Sequence, residues 1–415
     1  MLPQAVLLVG LTAAALGDTA SITLSTVPRS PFPVAPSFAS FSVEISNALT
    51  YLGTAGTLNV PWINLMNLLR NASGGVRGPS IRIGGNSAEF SLWWEAGPPL
   101  PANQSYAITR ADVEAYAAAF PLFDGFAVID TSMFVQNDAS WACAHAKGVA
   151  EFWGWARVEG VEVGNEVEIF HDSGVRPHSW TFADYETEFA AHAAALEQCG
   201  MPKGLIQGAV FCCNNSEYNA GLPGYTRTYA RLLSSISYHH YSIGGCGGKT
   251  AAALWRLLSN DPFVLAAPYL KPFVTAALNN GLKFRVGEGN TVSCGGAPGV
   301  SDVFASALFA LDVMMETAAI GVAQWNCATP PPPHSHARAH RGLLTPSAFC
   351  APLPCPFPPT HPSAQGTEGQ ARTTRPFHLR GRPRPPVPRT CARCFTACGR
   401  SRRPRRATAA SWRPP

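Results

Sequence analysis

No segment beyond the first 17 residues is long and apolar enough to span a bilayer as a helix. The one apolar run of note, Ala5–Leu16, counts 12 residues, against about 20 for a crossing helix, which argues against membrane insertion. It has the length of a secretory h-region instead. Ala15-Leu16-Gly17 places small residues for cleavage before Asp18, although no Lys or Arg precedes the run. The expectation is a signal peptide at residues 1–17 and a secreted protein. Asn71-Ala-Ser, Asn103-Gln-Ser and Asn214-Asn-Ser supply sequons that suit an extracellular surface.

The last 85 residues lack lysine and nearly lack acidic side chains. They hold 15 Arg, Glu368 as the sole acid, and 18 of the 37 prolines. The other 330 residues carry 16 basic and 25 acidic side chains, so the overall net charge of +5 conceals an acidic body joined to a basic tail. The tail also lacks hydrophobic periodicity and cannot bury enough apolar surface to offset the entropy of ordering. Residues 328–415 read as disordered. Without interleaved aromatics or helical spacing they do not point to nucleic acid. The tail reads as no functional module; binding of a polyanion is the alternative, and deletion of 331–415 tests it. Cys391-Ala-Arg-Cys394 lacks the second half of a zinc knuckle, so no metal is assigned, and no cofactor is called for. Seven cysteines lie in the body, an odd number that leaves at least one unpaired. Cys246 and Cys294, both in glycine-rich loops, are candidate partners, but sequence alone does not fix connectivity.

The body itself is regular. Strand-like runs fall at Phe38–Ile45, Ser80–Gly84, Phe126–Asp130, Gly160–Asn165, Gly204–Phe211, Ser235–Tyr241, Lys283–Glu288 and Ile320–Trp325. Helical patterns lie between them. Pro61 opens one; Thr109 with Asp112 and Thr181 with Asp184 form capping-box signals. Another helix starts near Asp138, and Ser301 is expected to cap one over Asp302–Thr317. Eight strands alternating with helices predict a (β/α)8 TIM barrel over residues 18–327. An open doubly wound sheet is the alternative.

One strand poses a chemical question. VEVGNEVEIF, residues 161–170, is apolar enough to be buried yet carries Glu162, Glu166 and Glu168. A buried carboxylate is costly unless paired or used. Catalytic residues of such barrels sit at the C-terminal strand ends, where Gly164-Asn165-Glu166 falls. Glu168 lies beyond the end and is expected to be solvated. KFRVGE, residues 283–288, gives a second strand-end acid, Glu288. Strands four and seven face each other across eight, so Glu166 and Glu288 suit glycoside hydrolysis, with one protonating the leaving oxygen and the other attacking. Asn165 beside the acid can bind a sugar hydroxyl.

These residues resemble a known family. GNE on strand four and GE on strand seven are similar to the retaining glycosidases with acid/base and nucleophile at those strands. FASFSVEISN at 38–47, IRIGGNSAEF at 81–90, YHHY at 238–241 and GEGNTVSCGGAPGVSDVFASALFALD at 287–312 resemble glycoside hydrolase family 79, which holds heparanase and heparanase-like β-glucuronidases. The resemblance spans about Ser21–Trp325. It implies Glu166 as acid/base, Glu288 as nucleophile, Asn165, Glu44 and Asn86 around the sugar, and His240 and Tyr241 near the nucleophile. The backbone N–H groups at Cys294, Gly295 and Gly296 would cradle a uronate carboxylate as an anion nest. From the residues alone, Glu44 could be a structural acid, Asn86 a turn residue, and the glycines mere turn-formers. His239 and His240 point to opposite faces of their strand, with His240 taken as the one in the site.

The implied activity is that of a retaining exo-β-glucuronidase acting on a carbohydrate with a terminal β-glucuronate. Endo cleavage of heparan sulfate is the alternative, disfavoured by the acidic body. The sequence departs from the family in Gly289 after the nucleophile, in QWNCATPPPP after strand eight, and in a tail without the alternating strands of the family's C-terminal β-sandwich. Asp18–Val34 would then lack a partner sheet. A catalytically impaired sugar-binding protein is the reading those departures favour.

Overall fold

The computed structural model describes residues 25–329 apart from 26, 29, 96–98, 102, 247–253 and 260–264. The expected leader at 1–17, residues 18–24 of the Asp18–Val34 segment, and the tail from residue 330 with Cys391 and Cys394 lie outside the described residues.

Eight parallel strands close into a barrel. They are β1 (Ala39–Glu44), β2 (Ser80–Gly84), β3 (Phe126–Thr131), β4 (Val158–Val163), β5 (Ile206–Phe211), β6 (Leu233–Ile243), β7 (Lys283–Val292) and β8 (Gln324–Ala328). Each strand pairs with the next and β8 returns to β1, with Ala39 opposite Trp325 and Ser42 opposite Arg82. The barrel expectation holds. The open sheet is excluded because β1 is paired on both sides.

Local signals set most helix starts. Thr109 and Thr181 form complete capping boxes with Asp112 and Asp184 ahead of Arg110–Ala119 and Phe182–Gln198. Asn59 accepts from the Trp62 N–H ahead of Val60–Ala72, with Pro61 in the first turn. Several boundaries differ from expectation, and two of them have a local cause. Ser301 caps no helix; the helix runs Phe304–Ala319 behind Val303. The Ser301 hydroxyl instead accepts from Ala297 N at 3.0 Å and Thr291 Oγ1 at 2.8 Å, closing the turn after β7. The last strand begins at Gln324 rather than Ile320, because Ile320 ends the helix and Gly321 turns away at φ 100°.

Aliphatic and aromatic side chains fill the shell between strands and helices. Ile81, Ile83, Val161, Val163, Ile236 and Val286 are buried there beside an aromatic group of Tyr185, Phe189, Phe211 and Tyr225. Each such side chain contributes about 1.5–3 kcal/mol by leaving water. The barrel interior is different. Barrels usually fill it with branched aliphatics, but here the inward positions carry Arg82, Asp130, Glu162, Gln207, Ser235, Arg285, Gln324 and Asn326, all buried. Near one end of this network Glu159 accepts from Arg285 Nη1 at 2.6 Å and also pairs with Arg77 and Ser80. The polar axis is stable because its charges are paired.

Candidate active site

The turn after β4 is anchored one peptide at a time. Gly164, at φ 80°, donates its N–H to Thr131 O at 2.9 Å. Asn165 N–H donates to the Glu89 carboxylate at 2.6 Å. Glu166 N–H donates to Val210 O at 2.9 Å. Three neighbours therefore hold three consecutive residues, and Glu166 takes a left-handed backbone at φ 51°, ψ 48°. A non-glycine residue there costs energy and persists because these contacts over-determine it.

Across the barrel mouth stands Glu288. Carboxylate oxygens of Glu166 and Glu288 and a ring nitrogen of His239 lie within 4.8 Å of one another. That distance belongs to the closely spaced carboxylate pairs of retaining glycosidases and not to the wider pairs of inverting ones. Glu288 accepts from Arg82 Nη1 at 2.9 Å and from the Tyr241 hydroxyl at 2.5 Å. On distance alone the three groups could surround a cation. The Arg82 guanidinium already supplies positive charge to Glu288, so a metal would meet a cation beside it.

Arg82 is the centre of the site, and sequence reasoning missed it. Its Nε donates to Glu162 at 2.6 Å, its Nη2 to Asn165 Oδ1 at 2.7 Å and to Asp130 at 3.3 Å, and its Nη1 reaches Ser42 at 3.2 Å besides Glu288. A signal was available: Arg82 alternates with Ile81 and Ile83, so when the isoleucines face the helices the arginine must face the axis. Glu162 is thereby explained. It is paired with Arg82 and with Gln207 Nε2 at 2.6 Å; despite full burial, the arginine's charge holds its carboxyl below the usual range. It is the structural glutamate of the stretch.

Glu168 is not solvated as expected. It is buried, with Oε1 accepting from the N–H groups of Cys212 and Cys213. The chain curls back over the strand end in a short 3-10 turn, Val167–Ile169, and carries the side chain inward.

The histidine expectation is also corrected. His239, not His240, enters the site, with Nδ1 2.9 Å from Glu166 Oε1. His240 lies on the outer side among Tyr269 and Trp325. The cause is strand parity. Ser235, His239 and Tyr241 all make contacts across the interior, so the residue between the last two cannot.

The remaining expected residues fall as follows. Glu44, at the end of β1, accepts from Ser87 N at 2.9 Å and from the Ser87 hydroxyl. It lies directly under Gly85, where a Cβ would sit 2.5 Å from its carboxyl, so only glycine fits at that φ of 84°. Asn86 Oδ1 accepts from Asn165 Nδ2 at 2.9 Å, which joins the two expected sugar-binding amides. Tyr241 is on Glu288, as above. Cys294, Gly295 and Gly296 follow β7 with φ of 57°, 89° and 85°. Cys294 is joined to Cys246; a second disulfide, Cys143–Cys199, links two outer helices. Among the described residues no hydrogen bond occupies the three N–H groups of Cys294–Gly296, an arrangement suited to an anion. Glu89, another residue that the sequence did not flag, lies buried between strand ends and accepts from Met133 N at 2.9 Å as well as from Asn165 N.

Burial raises several of these acids. Glu166 is pushed up to about 8 by desolvation, with the neighbouring Cys213 adding to it. Glu44 rises to about 7 through burial and the charge of Glu288, and Glu89 to about 7 through burial. His239 is lowered to about 4 by burial and Arg82. Between these values Glu166 holds the proton, with its Oε1 2.9 Å from His239 Nδ1. The fold therefore binds protons on Glu44, Glu89 and Glu166 more tightly than the unfolded chain does. Their stabilisation is complete below about 4.5, the ordinary value, and is lost as pH rises through about 7 to 8. His239 and His145, both lowered to about 4, add stability as pH rises to about 6.5, so the melting temperature is expected to fall by about 5 °C above that range, between pH 6.5 and pH 8. A flat or rising melting curve series would contradict these protonation states.

No family model matches the chain. Over its barrel portion the chain is a distant homologue of β-glucuronidases: it is 26% identical to one from Aspergillus niger, over 68% of this chain and 56% of that protein. It is 23% identical to one from Neurospora crassa, over 70% and 56%. The chain thus spans little more than half the length of the curated relatives it matches. Among solved structures the fold matches a 4-O-α-L-rhamnosyl-β-D-glucuronidase from Fusarium oxysporum. The TM-score is 0.61 at 19% identity, covering 74% of this chain and 65% of that one.

Proposed function

With a barrel distantly homologous to β-glucuronidases as the premise, we propose that this chain is a retaining exo-β-glucuronidase. The observation that carries the proposal is the pair Glu166 and Glu288, with carboxylate oxygens within 4.8 Å of each other. Arg82 and Tyr241 donate hydrogen bonds to Glu288, while burial raises the Glu166 carboxyl to about 8. The acid that burial holds protonated is assigned as general acid, and the acid across from it as nucleophile.

In the first step Glu288 attacks the anomeric carbon as Glu166 protonates the departing oxygen. The glycosidic bond breaks and an ester to Glu288 forms. In the second step Glu166, now ionised, takes a proton from water, which attacks the same carbon and releases the sugar with its configuration retained. Asn165, fixed by Arg82 and Asn86, offers its amide to a ring hydroxyl. The Cys294–Gly296 turn offers N–H groups to the uronate carboxylate.

Glu166→Ala should separate the two steps. With a poor leaving group, kcat/KM is expected to fall by about 10²–10⁴-fold. With an activated nitrophenolate, which needs no proton, the loss should be far smaller. In the wild type kcat/KM should decline as pH rises through about 8, where Glu166 loses its proton. Equal losses on both substrates would remove Glu166 from the acid role. A panel of unsulfated β-glucuronides and sulfated polymer distinguishes exo action from heparanase-like endo cleavage, and glucuronate binding without turnover would leave a sugar-binding protein.

Secretion is part of the proposal. Its support is that the sequon residues Asn71, Asn103 and Asn214 are all exposed. Expression through a eukaryotic secretory pathway, followed by glycan removal and mass measurement, tests it.

A further inference from the structure

Three aromatic side chains above the strand ends pack on one another and not on the core. Phe90 lies in the turn after β2, Phe134 in the loop after β3, and Trp141 in the first turn of the helix Ser140–Phe152. The rings of Phe134 and Trp141 are parallel, with centroids 5.4 Å apart and planes 3° from each other. Phe90 meets Phe134 edge-on at 5.5 Å. All three are half-buried, and none belongs to the main apolar cluster or to the side chains packed against it. Apolar surface left together at a rim marks a binding surface. The loop that carries it is rigid. Met133 N–H donates to Glu89 Oε2 at 2.9 Å and Phe134 N–H to Ser132 Oγ at 3.0 Å. Arg176 donates to Met133 O at 2.6 Å and to Phe134 O at 3.1 Å. It is buried and paired with Glu188, whose carboxylate also accepts from Asn137 N–H at 2.8 Å. The peptide groups on both sides of Phe134 are therefore fixed, so its ring is presented with little ordering left to lose on binding.

We propose that Phe134, with Trp141 and Phe90 beside it, forms the subsite for the departing group. The inference rests on the reading of Glu166 as general acid, because the group that leaves is the one whose oxygen Glu166 protonates. Glu89 ties the shelf to that flank of the site. One of its oxygens accepts from Met133 N–H and the other from Asn165 N–H at 2.6 Å. The residue after each of the three, Phe90, Phe134 and Glu166, is thus a shelf ring or the acid itself. Flat aromatic faces select a partner with an apolar face. The charge of Arg176 behind the loop is already matched by Glu188, which leaves nothing there for a sulfate. The shelf therefore fits a neutral leaving group, either a phenolic ring or the C–H face of an unsulfated sugar.

The experiment measures binding without turnover, by calorimetry with sulfur-linked analogues: methyl 1-thio-β-D-glucuronide as the reference, the phenyl 1-thioglucuronide, and a thio-linked disaccharide of glucuronate and a neutral hexose. Wild type should bind at least one of the two larger analogues about tenfold more tightly than the methyl one, the size of one good ring contact. Phe134→Leu, which keeps apolar bulk but not the flat face, should remove most of that preference and leave methyl analogue binding unchanged. Phe134→Tyr, which keeps the ring, should bind as wild type does. Trp141→Leu, at a half-buried helix start, repeats the measurement if the Phe134→Leu protein does not fold. Which larger analogue loses its advantage identifies the leaving group as aromatic or sugar. A preference that survives both leucine variants, or an equal loss for the methyl analogue, overturns the shelf while leaving the glucuronidase reading intact. A ring-dependent preference in a protein that turns over no β-glucuronide would keep the shelf and reject the catalytic reading. No binding of any analogue by the wild type would overturn both.

Discussion

Glu288→Gln is expected to lower kcat by about 10⁴-fold or more on every β-glucuronide, including those with activated leaving groups. The amide is close in shape but cannot form the covalent ester, and loss of a nucleophile costs losses of this order in other enzymes. The substitution also changes the surroundings. Arg82 Nη1 and the Tyr241 hydroxyl both donate to the Glu288 carboxylate, and an amide offers only one oxygen for two donors. The structural penalty should be small beside the catalytic one, because Arg82 keeps Glu162, Asp130 and Asn165. A melting temperature near wild type with activity lost is the expected pair of results. Full turnover would end the assignment of Glu288 and with it the proposed function.

The second large effect belongs to stability. Arg82→Met should destabilise the fold by about 3–5 kcal/mol, the cost of removing one partner from buried ion pairs. Methionine has a similar length, so the loss is charge and not volume. Glu162 and Asp130 would remain in the barrel axis without a counter-ion, both wholly buried. Asp130 already sits well above its ordinary range through burial, with Arg82 opposing the shift; without the arginine it would rise further. Denaturant unfolding of the variant should show the loss at pH 7 and recover part of it in acid, where Glu162 also protonates. A variant as stable as wild type would show that the polar axis is held by something other than this guanidinium. Activity should fall with it, because Nη1 and Nη2 touch Glu288 and Asn165.

Much of this was legible in the sequence. The capping boxes at Thr109 and Thr181 act within one turn, so local chemistry determines them. The strand periodicity of eight runs gave the barrel, because burial against helices selects apolar residues at fixed intervals. The acids Glu166 and Glu288 stood out because charge at an apolar strand end is costly. Even the placement of His239 was available: Tyr241 was expected inside, and two steps back along a strand is the same face. Taking His240 with Tyr241 conflicted with that parity. Arg82 was open to the same argument.

Other features depended on neighbours distant in the chain. Simple alternation would place Glu288 on the face of Val286, toward the helices. The register of β7 shifts between Val286 and Gly289, with His239 pairing to Glu288 directly after Tyr238 pairs to Val286. Gly287 takes up the extra step, and Glu288 turns inward. Glu168 was misjudged for a related reason: its burial comes from the backbone N–H groups of Cys212 and Cys213, 44 and 45 residues away. Glu89 joins strand ends through Asn165 and Met133, with no local pattern to mark it.

By itself the sequence determined the strands, the helix starts and the identities of the two opposed acids, since periodicity and capping are local and the cost of buried charge is general. Only the tertiary structure decided which way Glu288 points, which glutamate is paired and which is protonated, and that one arginine joins them. Those outcomes arise from register slips and from the field of charges brought together by closing the barrel, and neither exists until distant strands meet.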